Sequence, residues 1–193
     1  MVIKAAGYTV LETATQPKAP KVISKQSTTA IQLEWSVSAG ATGYKIYYKT
    51  ANGWKSPGET AKTVVTFKNL NPGSKVSFAI RPYIITSGGV VWGEIAYYTA
   101  STVPQATSVA VASNAKGAIT LKYSTVSGAD AYAIYYKVGN GSYKLYKAYA
   151  SAGTLSFANL KSGETLTFVV RSAAKTTGGW ALSSYSPVSV KVK

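Results

Sequence analysis

At 193 residues the chain is long enough for one large domain or two small ones that each bury a core. Apolar residues make up 46% and charged residues 14%, a globular composition, and the absence of both Cys and His removes disulfides, thiolate nucleophiles, zinc–thiolate sites and imidazole bases together. The net charge of +15 is carried almost wholly by Lys, since Arg81 and Arg171 are the only arginines; this implies a solvated lysine surface or attraction to an anionic polymer, not specific reading of nucleic acid.

From the N-terminus, Met1–Gly7 lacks the apolar core of a signal peptide, and no run of about 18 apolar residues exists to insert into a membrane. Gly7-Tyr8-Thr9-Val10 before Gln16-Pro17 parallels Ala96-Tyr97-Tyr98-Thr99 before Val103-Pro104. Residues 1–17 therefore read as an N-terminal extension or the end of a preceding module, and the chain as a segment of a longer secreted or cell-surface protein whose signal peptide lies elsewhere. Next come period-two stretches, the pattern of strands with one buried face: Ile31, Leu33 and Trp35; Tyr44, Ile46 and Tyr48; Val76, Phe78 and Ile80. Turn signals separate them at Ser38-Ala39-Gly40, Asn52-Gly53, Asn71-Pro72-Gly73 and Ser87-Gly88-Gly89.

The pattern then recurs. Gly43-Tyr44-Lys45-Ile46-Tyr47-Tyr48-Lys49 is answered by Ala131-Tyr132-Ala133-Ile134-Tyr135-Tyr136-Lys137, a shift of 132 − 44 = 88, and Phe67–Arg81 by Phe157–Arg171, a shift of 171 − 81 = 90. A period near 89 suits a whole small domain rather than a solenoid unit. Several short strands in about 90 residues, with no helical stripe, predict an all-β chain of two tandem seven-stranded β-sandwiches.

The order of landmarks resembles the fibronectin type III family, as found in bacterial extracellular modular proteins. A Pro precedes the first strand (Pro20; Pro104), an inward aromatic sits on the second (Trp35; Tyr123), and Leu70-Asn71-Pro72-Gly73 and Leu160-Lys161-Ser162-Gly163 mark the turn between the fifth and sixth strands. The resemblance covers about residues 18–193 and implies domains at 18–102 and 103–193, joined by a short link near Ala100–Pro104. The family's Tyr six residues after that Leu is missing: Val76 and Leu166 stand there, so packing has to replace its backbone latch.

Catalysis is not expected. The acids Glu12, Glu34, Glu59, Glu94, Asp130 and Glu164 form no local pair or calcium loop, and Gly88-Gly89 and Gly178-Gly179 precede strands, not the helix that a phosphate loop needs. No cofactor or metal is implied. The outward aromatics are the candidates for binding. Alternation places Tyr47, Arg81 and Tyr83 on a solvent face, with Tyr47 stacking on Arg81 and Tyr135 on Arg171 across strands; Trp92 follows a Gly-Gly turn. Trp54 and Trp180 are expected at the junction between the domains. Two functions follow: a spacer or adhesion unit presenting neighbouring domains of the parent chain, or a carbohydrate-binding module in which Tyr47, Trp54, Tyr83 and Trp92 stack on a polysaccharide.

Overall fold

The computed structural model describes residues 15–149 and 151–193, and every helix or strand among them is a strand. The first repeat contains β1 (Val22–Gln26), β2 (Ile31–Trp35), β3 (Gly43–Thr50), β4 (Gly53–Thr60), β5 (Val64–Phe67), β6 (Lys75–Thr86), β7 (Gly89–Trp92) and β8 (Ala96–Ser101). The second contains β9 (Val109–Ala115), β10 (Ala118–Tyr123), β11 (Ala131–Val138), β12 (Lys144–Tyr149), β13 (Gly153–Phe157), β14 (Thr165–Thr176), β15 (Gly179–Leu182) and β16 (Val188–Lys191). Each repeat builds a three-stranded sheet, β1-β2-β5 and β9-β10-β13, and a five-stranded one, β4-β3-β6-β7 with β8 also on β6 and β12-β11-β14-β15 with β16 also on β14. This is the tandem β-sandwich that the strand pattern predicts.

The seventh strand of each repeat comes in two pieces, and a residue of β6 or β14 explains why. Pro82 has no N–H to give to the ladder. There Gly93 N–H still donates to Pro82 O (2.8 Å) and Glu94 N–H to Pro17 O (2.9 Å). A side chain on Gly93 would lie 2.6 Å from both Pro17 O and Pro82 Cγ, so this crossing needs glycine. The second repeat breaks at the same place. Ser172, which stands where Pro82 does, donates its N–H to the Ser183 hydroxyl (3.0 Å) instead of to a ladder carbonyl.

Inward residues are those the alternation selects. Ile31, Leu33, Phe78 and Ile80 are fully buried, Trp35, Tyr44 and Ile46 nearly so, and Val76 half-buried. Ile119, Leu121, Tyr123, Tyr132, Ile134, Leu166, Phe168 and Val170 form one cluster in the second repeat, with Phe157 stacked 4.7 Å from Phe168. Both cores carry a polar tie. The Tyr44 hydroxyl accepts Ser38 N–H (2.9 Å), and the Tyr132 hydroxyl accepts Val126 N–H (2.7 Å). The turn before β6 has its own latch: Thr102, fully buried, donates its hydroxyl to Asn71 O (2.7 Å) and accepts Ser74 N–H (2.8 Å). In the second repeat Val192 stands at this position, and backbone bonds between Val192 and Gly163 and Glu164 do the work.

The described chain forms two compact units that cut across the repeats. One holds Trp35–Thr63 and Phe78–Tyr97 with the stretch ending at Val22; the other holds Ile23–Glu34, Val64–Ser77 and Tyr98–Lys193. Inside the second unit, Lys75 Nζ meets both Asp130 carboxylate oxygens (2.8 and 2.9 Å), and Asp130 also accepts Lys175 N–H (2.7 Å). Thr177 N–H donates to Thr99 O (2.8 Å) while Thr99 N–H donates to the Thr177 hydroxyl (2.8 Å). Gly73 and Gly128, both at φ of 73°, meet backbone to backbone, with no room for a side chain on either. Among residues 102–108, Val103 N–H donates to Ser27 O (2.9 Å) and Gln105 O accepts the Ser172 hydroxyl.

Candidate binding faces

The outward faces of the five-stranded sheets carry the candidate residues. Register corrects one expectation. Tyr47 lies opposite Ala79 and Arg81 opposite Lys45; Tyr135 lies opposite Val169 and Arg171 opposite Ala133. The antiparallel offset thus puts each Tyr one rung away from the Arg expected to stack on it. Arg81 instead lies over Trp92 (5.3 Å to the ring centroid) and Arg171 over Tyr185 (5.7 Å). Their Nε atoms are also spent alike: Arg81 donates to Gly93 O (3.0 Å) and Arg171 to Ser183 O (2.7 Å), the carbonyls that the break in the seventh strand leaves without a ladder partner. The arginines of the chain are therefore staples across that break, and their repeated position reflects it.

In the first repeat Tyr83, Trp92 and Arg81 come together as a closed cluster. Tyr83 meets Trp92 edge-on at 5.4 Å, Lys45 Nζ lies 5.6 Å from the same indole, and Lys45 pairs with Glu59 at 3.4 Å. Burial, and then the nearby Glu59 carboxylate, push the Tyr83 hydroxyl above the ordinary tyrosine range. Tyr83 also covers Gly43: a Cβ there would lie 2.6 Å from its hydroxyl. Trp54 stands apart, exposed, with its ring 6.2 Å from that of Tyr97, itself 67% exposed.

The corresponding face of the second repeat is open. Ala131, Ala133, Ala148 and Ala173 floor a hollow of about 250 Å³ walled by Tyr135, Leu145, Trp180 and Leu182. Beside it, sharing Tyr135, lies a second hollow of about 190 Å³ lined by Tyr143, Val169, Arg171 and Tyr185. Tyr143 and Tyr185 meet edge-on at 6.4 Å, and Lys137 Nζ lies 5.3 Å from the Tyr143 ring centroid. Trp180, 52% exposed, belongs to this outer face. Among the described residues, no three acids lie close enough to share a metal ion.

Residues 15–96 match the family model described as Fibronectin type III domain. Similar solved structures include a two-fibronectin type III domain segment of chicken tenascin, 16% identical with a TM-score of 0.49, covering 92% of this chain and 100% of that one. Another is the chicken CNTN1 FN1-FN3 domains, 14% identical with a TM-score of 0.51, covering 92% of this chain and 68% of that one. The second likeness speaks for the fold alone. No curated protein matches the chain. Fibronectin type III domains are typically spacing or binding modules of multidomain proteins, not enzymes, and are common in extracellular proteins. Among the described residues no helix is long and apolar enough to cross a membrane.

Sequence reasoning passed over Tyr97, Tyr185 and the alanine floor. The signal was present. Superposing the repeats at shifts of 88 and 90 sets Lys45 against Ala133 and Tyr83 against Ala173, but small apolar residues are read as filler unless the larger counterpart is compared.

Proposed function

We propose that the chain is a non-catalytic spacer and adhesion unit of a larger bacterial extracellular protein, with fibronectin type III modules at 18–102 and 103–193. The observation that supports this most is the tethering of residues 102–108: Thr102 closes the turn at Asn71–Ser74, Val103 N–H donates to Ser27 O and Gln105 O takes the Ser172 hydroxyl, so the link is tied down at both ends and resembles a strut more than a Gly/Ser tether. A strut holds neighbouring domains apart at a set spacing without chemistry of its own. A second reading, polysaccharide binding, draws support from Trp54 and Tyr97, two exposed rings 6.2 Å apart on one face, since flat rings stack on the apolar faces of sugars. The Tyr83, Trp92 and Arg81 cluster supports it less, because Lys45 and Arg81 already occupy the indole faces.

Pulldown on insoluble polysaccharides with a glycan array tests both. The spacer reading expects retention no greater than for a net-charge-matched control protein. Retention that survives about 0.5 M salt and disappears in Trp54→Ala would replace it with the polysaccharide reading, because salt screens the lysine attraction but not stacking.

A further inference from the structure

The two repeats differ most where their outward faces should be most alike. Register aligns Lys45 with Ala133, Glu59 with Ala148, Tyr83 with Ala173 and Trp92 with Leu182. In the first repeat these four side chains stack and pair into a filled cluster. In the second, three are alanine and one is leucine, and the space they vacate is the hollow of about 250 Å³. A compensating change accompanies the emptying. Gly43 has no room for a Cβ beneath Tyr83, whereas its counterpart Ala131 carries one beneath Ala173. A sheet face whose large residues are all reduced together, with the glycine beneath restored to alanine, is shaped to receive something.

We infer that this hollow is a docking site for an acidic peptide segment of a partner protein, one large apolar side chain entering between Tyr135 and Trp180 and neighbouring carboxylates meeting Arg171. The lining decides the class of occupant. The floor is four alanines and the walls add Leu145 and Leu182, so the hydroxyls of a sugar ring would be buried with few partners, while an aliphatic or indole side chain loses nothing there. Charge decides the flanks. The adjoining hollow holds Arg171, whose Nε and Nη2 donate to Ser183 O and Leu182 O, with no bond from Nη1 among the described residues. Lys137 and Lys175 lie on the same face. From residue 103 onward the acids are Asp130, engaged with Lys75 and Lys175 N–H, and Glu164 at the turn before β14. Asp130 is committed to Lys75 and to Lys175 N–H at one end of the face, so a carboxylate arriving at the other end meets Arg171 and Lys137 without an acid beside them. The site is independent of the spacer role, which needs no ligand.

The test is a ¹⁵N NMR titration of the full chain with blocked hexapeptides. One set carries a Trp or Leu among Asp and Glu; a second has the apolar residue changed to Ala; a third has the acids changed to Lys; cellohexaose and an oligogalacturonate run alongside. The expected result is saturable shifts of the Ala131, Ala133 and Ala173 amides with the first set only. Affinity should fall by about tenfold or more in Trp180→Ala and in the double variant Ala131→Gly/Ala173→Tyr, which refills the hollow as the first repeat does. Leu145→Ala and Trp180→Ala, both changes at exposed positions, carry the test if the double variant fails to fold. Equal binding by the Ala-substituted peptides would overturn the proposal, since bare charge attraction would then explain it. So would unchanged binding by the refilled or Trp180→Ala chains, no binding by any peptide up to about 1 mM, or shifts of these amides by an oligosaccharide alone.

Discussion

Two inward aromatics at the same repeat position are supported differently. The Trp35 ring is 6% exposed and meets Tyr44 edge-on at 5.5 Å, yet its buried Nε1–H has no partner among the described residues; Tyr123 in the second repeat donates its hydroxyl to Ser151 O (3.4 Å). Loss of the Trp35 ring should be expensive while loss of its N–H should be a relief. Trp35→Ala is expected to destabilise by about 3–5 kcal/mol in chemical denaturation, and Trp35→Phe by only about 1–2 kcal/mol, because the smaller void is offset by removal of an unsatisfied donor. A Phe variant as damaged as the Ala variant would mean that the indole N–H is bonded after all. The partner ring supplies a matching comparison. Tyr44 accepts the N–H of buried Ser38, whereas Tyr132 accepts that of half-buried Val126. Removing each hydroxyl strands a donor, at a cost of about 1–3 kcal/mol where water cannot reach it. Tyr44→Phe should therefore lower the unfolding midpoint more than Tyr132→Phe does, and the reverse order would refute this account of the latch.

At the scale of strands and turns, Thr102 supplies a polar latch for the turn before β6, where packing alone was expected. One hydroxyl closes the turn twice, accepting from Ser74 N–H and donating to Asn71 O. Thr102→Val keeps the shape and removes both bonds, so it should cost about 1–3 kcal/mol, while Thr102→Ser should restore most of it; a loss in Thr102→Ser with none in Thr102→Val would show that the methyl group, not the hydroxyl, matters. The latch also shows where sequence reading stops. Strand faces were legible because period-two alternation is a local property: Ile31, Leu33, Trp35, Tyr44 and Ile46 are all buried as the pattern demands. Pairing across strands is not local. Whether Tyr47 faces Arg81 or Ala79 depends on the register between β3 and β6, which turn lengths and packing set together, and a slip of two residues preserves every inward face while changing every outward neighbour. The break in the seventh strand lay half within reach, since Pro82 announces a missing donor. Its consequence for Arg81, a side chain drawn to the freed Gly93 carbonyl, needed coordinates.

Across the whole chain, the contacts gathered in the unit that contains Tyr98–Lys193 make a pH-dependent contribution through one acid. Asp130 takes two bonds from Lys75 Nζ and one from Lys175 N–H, and these hold its carboxyl below the ordinary range, the Lys75 bond contributing most. A folded-state pKa below the unfolded value means that the ionised form favours the fold. The contribution is complete above the unfolded carboxylate pKa of about 3.9 and fades as pH falls through the lowered folded value. Both partners are over a third exposed, so screening keeps the sum small, about 1 kcal/mol at neutral pH and low salt. Asp130→Asn should therefore melt lower than the unmodified chain at pH 7, and the two melting curves should converge near pH 2, where both carry a neutral group. Glu94, lowered in the same direction by Lys18, is present in both chains and cancels from the comparison. Raising salt to about 0.5 M at pH 7 should shrink the gap without closing it, because the bond from Lys175 N–H is short and local while the Lys75 attraction is screened. A gap that stays constant from pH 7 to pH 2 would assign the effect to the shape of the side chain and remove the ion pair from the account of how this unit holds together.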